Sequence, residues 1–159
     1  ENGASVIRIG AGEEITLSGI RIRAFESLHF RKDGVRGIAE LGYHVFTGGK
    51  SLLFPADVRN YDVSRLPGLR ADTVFAHVWL GEEMADKPPD FETVRSFGEF
   101  YTAFCPSRIF LGHLYDTGRK PSEMWRYEHA GLAADAILGL APETDVVVPR
   151  LGRKYPLFS

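Results

Sequence analysis

Three polar residues stand where apolar strands run out: His29 after "IRIRAFESL", Asp57 after "SLLFPA" and His113 after "SRIFLG". Neutral imidazole and carboxylate are ligands for divalent ions such as zinc, iron and manganese. The intervals between the three are long and fit no local ligand motif. Each residue alone also has an ordinary reading. An Asp after Pro-Ala is a turn former, and a His at a strand end is commonly a hydrogen-bonded surface group. Their shared placement predicts something more specific. Ligating and catalytic groups sit on loops held by a rigid scaffold, and strand–turn–strand geometry can gather three strand ends at one rim of a sheet.

The elements that must position them follow from pattern. "SVIRI" (Ser5–Ile9) alternates apolar and polar residues and predicts a half-buried strand. "EITL" and "IRIRAF" flank Ser18-Gly19, and "AELGYHVFT" and "SLLFPAD" flank Gly48-Gly49-Lys50, which predicts two hairpins. "DTVFAHVWL" (Asp72–Leu80) is a near-continuous apolar run, expected for a strand buried on both faces. Val94, Phe97, Tyr101 and Phe104 repeat at helical spacing. Pro121 and Gly139 are expected near the start and end of a second helix carrying Trp125, Leu132 and Ala136. "DVVVP" and "KYPLF" predict two short closing strands. Gly10-Ala11-Gly12 is read as a turn, not a dinucleotide fingerprint, because Ile15 stands at the third glycine position. The Gly81–Asp90 loop, with Pro88-Pro89, is the longest irregular stretch.

Composition bounds the rest. The 159 residues suit one domain with a real core. A net charge of -2 gives no electrostatic case for nucleic acid or an anionic membrane surface, and no apolar run reaches the length of a membrane span. Cys105 is the only thiol, so an internal disulfide and a cysteine-rich zinc site are excluded. A cytoplasmic location is expected. Cys105, directly before Pro106, is read as a buried small apolar residue.

The stretches "GIRIRAFESLHF", "GYHVFTGGKSLLFPADVRNYD", "ADTVFAHVW" and "RIFLGHLYDTGR" resemble the second half of a metallo-β-lactamase-fold hydrolase. The nearest branch is the one of L-ascorbate-6-phosphate lactonase-like proteins and N-acylphosphatidylethanolamine phospholipases. The resemblance covers nearly the whole chain, with "VVVPRLGRKY" resembling the closing strands. It implies an α/β fold: half of an αββα sandwich, a mixed sheet with helices on one face. It also implies that residues 1–159 form a single domain, the C-terminal half of a larger one. His29 and His113 fall on ligand histidines of the two metals, and Asp57 on the carboxylate that bridges them.

Two departures stand out. The signature His-x-His-x-Asp-His is absent, since no two of His29, His44, His77, His113 and His129 stand two apart. The usual Gly-Asp-Thr is Ala56-Asp57-Val58. The chain, which begins at Glu1, is therefore expected to be a fragment, inactive alone, whose missing N-terminal half supplies the remaining ligands.

When complete, the site would hold two divalent ions, zinc first, with manganese or iron as alternatives. A metal-bound water would attack an ester, lactone or phosphodiester bond of a small-molecule substrate. Asp57 and His77 are the expected catalytic residues, and Arg119 and Tyr115 the expected substrate contacts. His77 reads equally as a core histidine, and Arg119 as a solvated loop residue. His44 is expected to pack or face solvent, His129 to lie on the surface, and Trp79 and Trp125 to sit in the core. The competing expectation is a degenerate, non-catalytic half-domain acting as a structural or interaction module. Either way, half a sandwich exposes an apolar face and open edges. The chain should therefore pair with its missing half or with a second copy of itself.

Overall fold

In the computed structural model, residues 6–30, 34–35, 37–66, 68–81 and 85–159 are described. Glycine-bearing turns set the first half. Ser18 and Gly19 both take positive φ, 50° and 81°, and close a hairpin between β1 (Glu14–Leu17) and β2 (Ile20–Glu26). Gly48 and Gly49, at φ 55° and 75°, close a second hairpin between β3 (Leu41–Thr47) and β4 (Lys50–Phe54). Paired positive φ values give the turn a twist that matches right-handed strands. β2 and β3 pair antiparallel, so β1 to β4 form a meander.

The sense of pairing changes at β4. β5 (Thr73–His77), β6 (Arg108–Gly112) and β7 (Asp145–Val147) add in parallel, completing a seven-stranded sheet in sequence order. Parallel neighbours need crossover connections: a loop with one 3-10 turn (Val63–Arg65) joins β4 to β5, and helices make the next two. α1 (Phe91–Thr102) follows β5 and starts at Asp90, whose carboxylate accepts from the Thr93 backbone N–H. α2 (Tyr127–Leu140) follows β6 and packs on α1. Gly98 is the point of close approach: a Cβ there would lie 2.9 Å from the Ala136 carbonyl oxygen.

One face of the sheet meets the helices. Leu53, Val74, Ala76, Ile109 and Leu111 share a buried cluster with Phe97, Phe100, Tyr101, Ala133 and Ile137. Alternate residues of the same strands point the other way. Phe54, Phe75 and Phe110 stack there at 4.4 and 5.1 Å. The C-terminal tail crosses this second face: the Thr73 hydroxyl donates to the Leu157 carbonyl (2.6 Å), Arg108 Nη1 donates to that of Pro156 (2.7 Å), and Tyr155 meets Phe110 edge-on. Among the described residues no helix is long and apolar enough to cross a membrane.

The sequence expectations of a mixed α/β sheet with helices on one face, and of both hairpins, match. Four details differ. Residues 6–9 of the "SVIRI" segment form no strand, and Val6 and Ile7 are exposed; Ser5 lies outside the described residues. The outer edge of β1 is open, yet residues 6–9 do not pair with it: an alternating pattern alone does not dock a segment onto a sheet. Pro121 opens a single 3-10 turn (Pro121–Glu123), whereas α2 begins at Tyr127 and runs past Gly139. "KYPLF" is the crossing tail, not a strand. Cys105 is exposed, with φ 52°, in the turn between α1 and β6. In the Gly81–Asp90 loop, residues 82–84 lie outside the described residues.

Candidate metal centre

Strand direction explains how distant residues meet. β2 is antiparallel to β3, β3 to β4, and β4, β5 and β6 run parallel. β2, β4, β5 and β6 therefore all end on the same rim of the sheet. His29 and Asp57 follow the first two of these strands, His77 is the last residue of β5, and His113 comes one residue after β6. Sites at the carboxyl ends of parallel strands are the rule in open α/β sheets.

Backbone bonds hold the rim together. Arg59 and Asn60 N–H both donate to the Leu28 carbonyl (3.0 and 3.1 Å), and the Ser27 hydroxyl donates to that of Pro55. Ala56 sits at φ 68°, a left-handed conformation that glycine adopts without strain. This is where the resemblance expects glycine. His113 is also left-handed, at φ 65°, and this turns its ring off the strand.

The Asp57 carboxylate lies between two environments. Oδ2 accepts from Arg59 Nη2 (2.8 Å) and Nε (3.3 Å), and His29 Nε2 is 3.4 Å away. Oδ1 faces His113 Nδ1 at 4.0 Å and has no protein hydrogen bond. The Asp57 N–H donates to Glu40 Oε2 (3.1 Å). Burial pushes the Asp57 carboxyl up, but the Arg59 hydrogen bond and charge, with the charges of His113 and His29, outweigh it and hold the carboxyl below its usual range.

The three histidines are held differently, and the difference decides what each can do. His113 Nε2 lies 2.8 Å from Asp116 Oδ2, which also takes Arg119 Nε at 2.9 Å. That carboxylate is the neighbour of Nε2, while His113 Nδ1 faces the Asp57 side of the site. His77 stacks on His113 at 5.1 Å, and burial first, then the neighbouring His113 ring, lowers its pKa. His77 Nδ1 and His113 Nδ1, like Asp57 Oδ1, are buried without a protein partner. His29 Nδ1, in contrast, accepts the Ile38 N–H (3.0 Å), so in the neutral ring the proton sits on Nε2.

The donor set fits a divalent ion. Asp57, His77 and His113 each offer one ligand atom, all within 4.8 Å of one another. Three buried orphan atoms of ligand type in one place are otherwise costly. Of the sequence candidates, the structure brings Asp57, His77 and His113 into one group and sets His29 against the opposite carboxylate oxygen. Tyr115 is half-exposed, its ring beside Tyr127 at 5.0 Å, and Arg119 is tied to Asp116. His44 is buried mid-strand. His129 is not on the surface: it is buried, and its Nδ1 accepts the Arg126 N–H at the start of α2. Arg59, Glu40 and Asp116 were not singled out as holders of the site. The Asp-x-Arg and His-x-x-Asp spacings were the available signals for Arg59 and Asp116.

A cleft of about 430 Å³ opens from His77 along the second face, lined by Phe54, Phe75, Phe110, Tyr155 and Leu157.

No protein-family model and no curated protein matches the chain. Solved structures do match in fold. YhfI from Bacillus subtilis, a metallo-β-lactamase fold protein, superposes with a TM-score of 0.60 at 12% identity, over 91% of this chain and 52% of that one. CmlA from Streptomyces venezuelae, a diiron β-hydroxylase, gives 0.57 at 17% identity, over 91% and 33%. A Thermotoga maritima protein assigned to the Zn-dependent hydrolases of the metallo-β-lactamase superfamily gives 0.50 at 16% identity, over 88% and 70%. The chain thus has part of the metallo-β-lactamase fold, spanning about half of YhfI and a third of CmlA.

Proposed function

We propose that this chain is the C-terminal, metal-ligating part of a metal-dependent hydrolase of the metallo-β-lactamase superfamily, acting on an ester, lactone or phosphodiester bond. The observation that carries the reading is the convergence of Asp57, His77 and His113, one ligand atom of each within 4.8 Å of the others, at one rim of the sheet, where each also has a buried polar atom without a protein partner. Two imidazoles and a carboxylate suit zinc or iron by donor type, and hydrolysis, which needs no redox change, favours zinc. A divalent ion there would lower the pKa of a bound water and polarise the bond under attack.

The chain's own residues do the rest. Arg59 keeps Asp57 ionised and aimed, and Asp116 orients the His113 ring. His77 has its Nδ1 buried without a protein partner and joins the same group of ligand atoms. Arg119 and Tyr115, just beyond His113, are the anchors for an anionic group of the substrate, the guanidinium binding it through two nitrogens. Residues 1–159 form one domain, completed by an upstream half that bears His-x-His-x-Asp-His and lays a second sheet over Phe54, Phe75 and Phe110. A cytoplasmic site of action fits the single cysteine. The second reading, a degenerate half-domain that binds a partner without catalysis, is favoured by one feature: Arg59 already neutralises Asp57.

Elemental mass spectrometry of the purified chain beside Asp57→Ala tests the first reading. Near-stoichiometric metal that disappears in the variant is the expected result. Little metal in either counts against an ion held by this chain alone and fits a severed half-site or the non-catalytic module.

A further inference from the structure

We infer that the site takes a single ion, with His77 as a ligand, and that His29 and Arg59 together replace a second cation on the far side of Asp57. The inference rests on the metal-dependent reading above and changes its stoichiometry. A carboxylate bridges two ions only if each oxygen has a lone pair turned toward one of them. Oδ1 meets that condition, being buried and unpartnered. Oδ2 does not: two guanidinium nitrogens of Arg59 lie at 2.8 and 3.3 Å. A guanidinium stays protonated at any working pH, so it is a permanent positive charge where the second ion would sit. A divalent ion added beside it meets like-charge repulsion in a largely buried place, with Asp57 and Arg59 side chains 13% and 20% exposed.

The histidines divide the same way. A ring nitrogen ligates only through its lone pair. His113 has Nε2 beside the Asp116 carboxylate at 2.8 Å and Nδ1 buried without a protein partner. His77 has a bare Nδ1 in contact with the same group. His29 spends its Nδ1 lone pair on the Ile38 N–H, which leaves Nε2 carrying a proton 3.4 Å from Asp57 Oδ2. His29 is thus a donor that steadies the carboxylate, a positioning residue and not a ligand. It and Arg59 satisfy one oxygen with fixed hydrogen and charge, and the ion satisfies the other.

The test uses zinc chloride titrated into the 159-residue chain, followed by calorimetry for stoichiometry and by histidine ring ¹⁵N NMR for the bound nitrogens. One equivalent is expected. The His77 and His113 resonances should take metal-bound shifts, while His29 keeps a protonated Nε2. His77→Ala should weaken binding by more than about 100-fold, beyond the roughly 10–100-fold that loss of an outer partner costs, and His29→Ala should retain one equivalent. The NMR readout needs no variant, so it decides even where a substitution unfolds the chain. Two equivalents, or a metal-bound shift at His29 with none at His77, would overturn the single-ion inference and leave the metal-dependent reading standing. No bound zinc in the wild-type chain would overturn the single-ion inference, whose three ligands all lie in this chain.

Discussion

Ala56 is the residue at which this chain departs from the expected Gly-Asp-Thr, and its backbone gives the departure a measurable cost. It holds φ at 68°, where an L side chain crowds the following carbonyl; this costs roughly 1–2 kcal/mol. Ala56→Gly removes that strain. It also frees the unfolded chain, which takes back about 0.5–1 kcal/mol. The net expectation is a gain of about 0.5–1 kcal/mol, or about 1–4 °C in Tm for a chain of this size. Urea denaturation followed by circular dichroism reads it: the midpoint should rise with the slope unchanged. Ala56→Val should fall well below wild type, because a branched Cβ tolerates left-handed φ least. The reasoning is refuted if Ala56→Gly is no more stable than wild type. The strain would then be absent, or relieved by neighbours in a way the backbone angle does not reveal.

Three further outcomes follow from packing and titration. Gly98→Ala should destabilise by about 1–2 kcal/mol, since overpacking against the Ala136 backbone outweighs better helix propensity. Gly139→Ala, exposed near the end of α2 with nothing within 4 Å of a new Cβ, should stabilise by up to about 1 kcal/mol, and equal shifts for the two would break the argument. Burial, then the Arg21 and Arg23 charges, lower the pKa of His44, so the unfolded state binds its proton first. Stability should fall as pH drops below about 6.5 toward the lower folded value, and a His44→Gln denaturation series should lack that component. Burial opposes, but the Ser51 N–H and hydroxyl and Lys50 together lower the pKa of Asp72. Its contribution is present above the unfolded carboxylate pKa and lost as pH falls through the folded one, so wild type and Asp72→Asn should converge in acid.

Local chemistry made the sheet legible. Ser18-Gly19 and Gly48-Gly49 announce their hairpins because a tight turn demands positive φ, and few residue types supply it. The start of α2 was illegible for the converse reason. It uses reciprocal bonds between Arg126 and His129 in place of a Ser, Thr, Asp or Asn cap, so Pro121 drew the boundary too early. His129 was misjudged with it, since a ring spent on a helix terminus and packed edge-on against Trp125 has no need of solvent. At the site, strand ends located Asp57 and His113. That His77 joins Asp57 and His113 while His29 Nδ1 meets the Ile38 N–H was out of reach, because loops and not spacing set these contacts.

The change from antiparallel to parallel pairing at β4 also sets an order of assembly. The β1–β4 meander joins neighbours through short turns, and hairpins close within microseconds. β5 and β6 dock only after whole crossovers have been ordered, and non-local pairing of this kind is slow. Asp57 lies on the seam between these regimes, and His77 and His113 lie beyond it. During refolding, then, the β1–β4 meander is expected to pair before β5 and β6 carry His77 and His113 to the rim. An ion that needs all three reports the last stage of folding, and by binding only the finished sheet it would act as a latch on it.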